Sequence, residues 1–257
     1  GCELGEPHAF IWGAGKKMNF LKNTRIRIID IIWNRFLTDA FIMTDESLSS
    51  FAERISEKKP KILFGYATAI YRFAQFIRNS QFEDITFEGV ITTSETILEP
   101  VRQYIEETFQ CKVFNRYGTL ELGGVACECE EHTGLHISME NNYVEIIKNG
   151  SPAKPGEVGE VIVTNLNNLG MPFIRYSIED AAAWYSGVDC PCGRESQMIQ
   201  MVEGRLVDSF QTRDGRRVWA GFAGAGFKCL THPTIKQFQV VQKSLDRMVV
   251  RLVKNEN

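Results

Sequence analysis

Between Lys61 and Phe114 the chain alternates short apolar runs with amphipathic segments, and this alternation limits the folds open to it more than any other feature. Lys61-Ile62-Leu63-Phe64-Gly65-Tyr66 reads as a buried strand interrupted near its end by a glycine. Ile70, Phe73, Ala74 and Ile77 then fall at i, i+3, i+4 and i+7, which is one face of a helix. A second strand is expected from Gly89 to Thr93, followed by a helix with Pro100 in its first turn and Val101, Tyr104 and Ile105 as its apolar stripe. Lys112 to Phe114 supplies a third strand. Strand–helix–strand–helix–strand requires parallel pairing with helices on the faces. Ligands of such sheets bind in loops beyond the carboxyl ends of strands, so Ser94-Glu95 and the segment after Phe114 are the expected binding loops.

Residues 1–58 read as mixed helix and loop, with the apolar run Arg25 to Ile32 too short to type by periodicity. After about residue 140 the pattern becomes β-rich. Val144 to Ile147 and Glu160 to Thr164 are punctuated by Gly150, Pro152, Pro155, Gly156 and Gly159. Ile235 to Val241 and Arg247 to Val253 read as a hairpin. The run Gly221 to Gly226 is either a mobile loop or a place of close backbone approach. The expected fold class is α/β: a parallel sheet with flanking helices, then a β-rich subdomain, then the start of a small α+β domain.

A chain of 257 residues can bury a full core in one large domain or two smaller ones. The formal net charge of −3 comes with no basic stripe, which argues against nucleic acid as a partner. No apolar run reaches the length needed to cross a bilayer. The start has no charged leader, no apolar signal core and no initiator Met, so a fragment or trimmed chain is expected. Seven unevenly spaced cysteines do not make a disulfide-stapled scaffold, and four of them in two tight pairs point to metal in a reducing compartment, the cytoplasm.

Two groups of residues carry chemistry. Asn115-Arg116-Tyr117-Gly118-Thr119-Leu120-Glu121 offers an aromatic face, close backbone approach at a glycine and a carboxylate. Ser94-Glu95 precedes it; Arg175-Tyr176-Ser177-Ile178-Glu179-Asp180 and Gly204-Arg205-Leu206-Val207-Asp208 follow it. Those are parts suited to a nucleotide with its metal and ribose. The second group is Cys127-Glu128-Cys129-Glu130-Glu131-His132, then His136, then Cys190-Pro191-Cys192-Gly193. Thiolates and imidazoles suit tetrahedral zinc, and such a metal would staple the α/β part to the β-rich part. Reduced cysteines without metal are the alternative. No base pairs evidently with any cysteine to make a nucleophile, and Cys2, Cys111 and Cys229 read as ordinary thiols.

The four nucleotide motifs, in this order, resemble those of the adenylate-forming enzymes, and within them the phenylacetate–coenzyme A ligase family and its capsular polysaccharide branch. The resemblance runs from Trp12-Gly13 to the last predicted strands. It implies that Ser94, Glu95, Asn115, Arg116, Tyr117 and Gly118 surround adenine, that Thr119 reaches the α-phosphate and that Glu121 holds magnesium. It also implies that Asp180 binds ribose and that Arg205 and Asp208 begin a hinge. Ser177 and Glu179 depart from the family pattern, which has an arginine at the first position and a glycine or arginine at the second. Among the thiols and histidines it singles out Cys129, His136, Cys190 and Cys192 for zinc, with Cys127 and His132 in reserve. The implied domains are a nucleotide-binding part over 1–140, a β-rich part with the zinc cluster over 141–208, and a hinge with the start of a C-terminal domain over 209–257. The family's phosphate loop and its C-terminal lysine have no counterpart here, so activity is expected of a longer parent rather than of this piece. The implied activity is AMP-forming activation of a carboxylic acid with ATP and magnesium, and transfer to coenzyme A. A non-thiol acceptor in surface-polysaccharide assembly is one alternative, and a zinc-stapled nucleotide-binding module without catalysis is another. Phe64, Tyr66 and Phe87 read equally as an aryl pocket and as core, and a homodimer stays open.

Overall fold

The structure, a computed structural model, describes residues 5–13, 28, 30–82, 84–187, 189–205, 209–215, 217–219 and 234–254. Contacts divide the chain into two units, Gly1–His136 with Cys190–Arg194, and Ile137–Asp189 with Glu195–Asn257.

In the first unit, strands β1 (His8–Trp12), β2 (Arg35–Asp39), β3 (Ile62–Tyr66), β4 (Gly89–Thr93), β5 (Lys112–Thr119) and β6 (Gly123–Glu128) lie in the order β2-β1-β3-β4-β5-β6. The first five are parallel, and β6 returns antiparallel to β5. Helices α1 (Asp45–Lys58), α2 (Ala67–Arg78) and α3 (Glu99–Phe109) provide crossovers. Thr44 caps α1 by accepting the Ser47 N–H at 3.3 Å, and Asp45 and Glu46 in its first turn complement the helix dipole. The expected face of α2 is buried in full at Ile70, Phe73, Ala74 and Ile77. In α3 the stripe is less regular: Ile105 is buried, Val101 and Tyr104 are half-buried, and the charged Arg102 is buried among them.

Two expectations needed correcting. Residues 1–58 contain β1 and β2 as well as helix and loop. His8-Ala9-Phe10-Ile11-Trp12 is apolar on both faces, so it shows no alternation, and its strand character comes from pairing with β3. The third strand does not stop at Phe114 but runs to Thr119, because β6 pairs back along it. Asp208, Gly221 to Gly226, Cys2 and Cys229 lie outside the described residues.

Ala9, Ile11, Leu63, Val90 and Val113 project from one side of the sheet into a core with all three helices. Phe73 sits at its centre, edge-on to Phe51 at 5.3 Å between centroids and stacked on Phe109 at 5.7 Å. Phe87 meets Phe109 at 5.1 Å, so of the three ambiguous aromatics this one is core. Phe10, Phe64, Ile91 and Phe114 stand in register across β1, β3, β4 and β5 on the other side, half-buried.

The second unit holds an antiparallel sheet in the order β12-β11-β10-β8-β9, formed by β8 (Asn142–Lys148), β9 (Ser151–Pro152), β10 (Val158–Asn165), β11 (Tyr176–Trp184) and β12 (Met198–Arg205). Val144, Ile146, Val161 and Val163 alternate into its buried side. Two hairpins follow, β13 (Ser209–Gln211) with β14 (Arg217–Trp219), and β15 (Ile235–Ser244) with β16 (Arg247–Lys254), the latter as expected. Strand β7 (Leu135–Ile137) falls at the division between the units. Among the described residues no helix is long and apolar enough to cross a membrane.

Truncating the central ring tests this core. Phe73→Ala should lower the unfolding free energy by about 3–5 kcal/mol, read from urea denaturation, because a cavity is left among Phe51, Phe109 and the sheet.

Candidate functional site

The register of β4 with β5 sets Thr92 beside Asn115 and Thr93 beside Arg116, so the loop opening at Ser94 and the Asn115–Glu121 segment leave the sheet at the same edge. Ser94 has a left-handed φ of 66°, which turns the chain sharply out of β4. The Glu95 carboxylate accepts the Thr68 N–H at 2.8 Å and the Thr68 hydroxyl at 2.9 Å. It thereby caps α2, whose own N-cap residue Tyr66 makes no side-chain cap.

Asn115 to Thr119 form the outgoing arm of a hairpin whose tip is Leu120-Glu121-Leu122. The register shifts between Tyr117 and Gly118, which marks a bulge. A Cβ on Gly118 would stand 2.0 Å from the Gly123 carbonyl oxygen, so the hairpin itself requires glycine there. Arg116 lies over Gly124 and over the Phe64 ring, 5.6 Å from its centroid. Tyr117 is half-buried; the Thr119 hydroxyl accepts the Leu122 N–H at 3.2 Å; Glu121 is exposed at the tip.

The sulfur and imidazole groups gather in the first unit. Ligand atoms of Cys129, His136, Cys190 and Cys192 lie within 4.8 Å of one another, with Cys129 Sγ to Cys190 Sγ at 3.6 Å and Cys192 Sγ to His136 Nε2 at 3.4 Å. Four ligands about 2.0–2.3 Å from a tetrahedral centre stand about 3.3–3.8 Å apart, and the Cys129–Cys190 and Cys192–His136 separations fall in that range within a group spanning up to 4.8 Å. Two tight turns present it. His132 N–H donates to Cys129 O at 3.2 Å, and Gly193 N–H donates to Cys190 O at 3.1 Å. Glu130 and Arg194, one from each turn, pair at 3.2 Å. The Thr133 hydroxyl stands 3.4 Å from Cys190 Sγ and, with the Cys192 N–H, brings the Cys190 thiol down to about 6. Burial pushes Cys129 up to about 11. The reserves stand apart. Cys127 lies on β6 with its thiol raised by burial, and the His132 imidazole faces Glu128 and Arg102.

In the second unit Asp180 is half-buried on β11, its backbone opposite Arg205 of β12. Beside it Glu179 has φ of 60°, within a register shift of β11 against β10. A residue at such a φ is strained unless it is glycine. The Ser177 hydroxyl bonds to Glu160. For Arg205 the backbone alone is described.

No protein-family model matches the chain. It is 25% identical to CapK of Staphylococcus aureus over 86% of its own length and 48% of that protein. It is 30% identical to phenylacetate–coenzyme A ligase of Thermus thermophilus over 49% of its length and 29% of the ligase. The chain is a relative of CapK and of the phenylacetate–coenzyme A ligases. Its fold is that of the adenylate-forming ligases. It superposes with a TM-score of 0.72 on 2-hydroxyisobutyryl-CoA ligase in its postadenylation state, at 16% identity over 98% of this chain and 55% of that one. The chain spans about half the length of CapK and less of the Thermus ligase.

Two residues of this CapK relative escaped the sequence reading. Arg102, 8% exposed, donates from Nη2 to both Glu128 oxygens at 2.8 and 3.0 Å, and from Nη1 to the Val113 carbonyl. Each charge looks solvated in sequence; the only signals were an arginine inside the apolar stripe of α3 and a glutamate between two cysteines. Cys111 is an inert thiol, pushed up to about 12 by burial.

The hairpin makes its own prediction. Gly118→Ala should cost on the order of 1–3 kcal/mol in chemical denaturation, as overpacking does, because the backbone at Gly123 must move.

Proposed function

We propose that this chain is the nucleotide-holding part of an ATP-dependent, AMP-forming acid ligase that activates a carboxylic acid as its adenylate and passes the acyl group to coenzyme A. The observation that carries this reading is the β4–β5 register, which sets Ser94 and Asn115–Tyr117 at one sheet edge. In this reading Tyr117 stacks on adenine, with Asn115 and Arg116 along one side and the Ser94-Glu95 loop along the other. Glu95 acts by holding that loop on α2, since both its oxygens are engaged by Thr68. Thr119 accepts from Leu122 and keeps its own hydrogen to donate to the α-phosphate. Glu121, open to solvent at the tip, suits magnesium, which takes few protein carboxylates and neutralises phosphate charge when bound. Asp180 accepts from the ribose hydroxyls, Arg205 assists, and Asp208 begins the hinge about which a small domain turns. The half-buried Phe64 and Trp12, stacked at 5.6 Å, favour an acid with an apolar or aromatic body.

A second reading, suggested by the resemblance to the capsular polysaccharide branch, has as its acceptor a sugar in surface-polysaccharide assembly. Coenzyme A-dependent release of AMP by a longer protein containing this chain would separate the two. Both readings place the protein in the cytoplasm, where its nucleotide is made and its free thiols stay reduced.

AMP should bind the chain weakly by calorimetry. Asp180→Ala should weaken that binding, since each hydrogen bond to a charged acceptor is worth about 1.5–3 kcal/mol. Equal binding by the variant would remove Asp180 from the site. In a longer protein containing this chain, acid-dependent exchange of pyrophosphate into ATP should appear and should fall strongly in Glu121→Gln.

The same reading gives Cys129, His136, Cys190 and Cys192 a structural zinc ion, for which three thiolates and one imidazole, mostly buried, are a suitable closed set. The purified chain should carry about one zinc. A chelator should lower its melting temperature, and Cys190→Ser should reproduce that loss, because such binding energy is folding energy. Metal-free protein with an unchanged melting temperature would remove the ion from the account.

A further inference from the structure

We infer that Glu128 is a positioning residue through which occupancy of the cysteine–histidine centre fixes the backbone of the Asn115–Tyr117 segment. The coupling rests on the zinc reading above, and its consequence for AMP rests on the nucleotide reading as well. In the ladder between β5 and β6 the last backbone pair is Arg116 with Cys127. One step further, the Asn115 N–H is donated not to backbone but to Glu128 Oε2, at 2.7 Å. The first amide of the nucleotide motif is therefore held by a side chain. That side chain is the immediate neighbour of Cys129, a residue of the metal group.

The carboxylate is held from three sides. Arg102 Nη2 donates to both oxygens, and the same guanidinium donates to Val113 O on β5. His132 Nδ1 lies 3.2 Å from Glu128 Oε2 and 3.1 Å from Arg102 Nη1. His132 also closes the Cys129 turn through its N–H, with a left-handed φ of 53°. An ion gripping Cys129 and His136 would hold both ends of this turn segment. With the segment held, Glu128 is aimed at the Asn115 N–H; with it loose, Arg102, itself tied to Val113 O, still keeps the carboxylate near β5, but its aim at that single amide relaxes. Glu128 and Arg102 side chains are only 11% and 10% exposed and satisfy each other, so they serve geometry rather than contact a ligand.

The experiment is amide hydrogen exchange on the zinc-loaded protein and on the chelator-stripped protein. It compares the native chain with Glu128→Ala, with the shape-preserving Glu128→Gln, and with Glu131→Gln as an exposed neighbour. Stripping the native chain should speed exchange at Asn115 at least tenfold while Val90 and Ile91 on β4 hold. Glu128→Ala should exchange fast at Asn115 even when loaded and respond little to stripping, Glu128→Gln should fall between, and Glu131→Gln should match the native chain. The inference is overturned if stripping leaves Asn115 unchanged, if Val90 and Ile91 open with it, or if both Glu128 variants keep the native response. AMP titrated in parallel should lose affinity several-fold on stripping the native chain and not the Ala variant. If no form binds AMP, the nucleotide reading fails, and the exchange data still decide the role of Glu128.

Discussion

Parallel pairing between β4 and β5 is the constraint on which the first unit depends. Two parallel strands need a crossover, here α3, and a crossover packs back on the sheet only if it has an apolar face to bury. Ile105 and Phe109 supply that face against Phe73 and Phe87. Once the helix is docked, both strands must end at one edge, and the loop at Ser94 and the arm from Asn115 emerge side by side. Antiparallel pairing would have sent them to opposite edges. Nothing in either motif brings them together; the phenylalanine core does.

Part of the backbone strain lies within the motifs. Ser94 and Glu179 both sit at positive φ without being glycine, and Gly118 sits where any side chain would meet a carbonyl. Strained positions persist only where the surroundings over-determine them. At Ser94 the surroundings are the buried Thr92 and Thr93 behind it and Glu95 fastened to α2 ahead of it. At Glu179 they are the ladder to β12 on one side and the Ser177–Glu160 bond on the other. Side chains on such an irregular stretch are aimed differently from their neighbours on the strand.

How much was legible depended on whether a residue's partner was local. Ile70, Phe73, Ala74 and Ile77 announce α2 because a helix face is a property of one segment. Gly89 to Thr93 was read to the residue because turn signals bound it on both sides. Strand β5 was cut short because Asn115 and Arg116 owe their strand character to β4, and Tyr117 to Thr119 owe theirs to β6, partners distant in sequence. Gly118 was read as room for a ligand, whereas the hairpin already needs it. The choice between Cys127 and Cys129, and between His132 and His136, could not be made from spacing. The Cys129 turn carries His132 toward Arg102 and returns the chain to His136 on β7, which brings Cys129 and His136 together with Cys190 and Cys192. Arg102 and Glu128 were invisible for a related reason: a buried ion pair is recognised only when both halves are seen together.

The segment from Cys129 to Gly134 explains why a metal centre would be useful at this place. Glu130, Glu131, His132 and Thr133 offer no apolar side chain, so the segment cannot be held by burial as α1 to α3 are. Its hydrogen bonds include the turn bond from His132 N–H to Cys129 O, the contacts of His132 and Thr133, and surface bonds from Lys112 and Arg194 to Glu130. Yet it precedes Leu135, His136 and Ile137, all buried, and follows Glu128, which supports Asn115. Hydrogen bonds bring the Cys190 thiol down to about 6, while burial holds the Cys129 thiol up at about 11. A divalent ion would displace the proton from Cys129 and fix four side chains at once. It would replace the missing apolar contacts with bonds of defined length and direction, and directional bonds are what a segment aimed at a single amide requires.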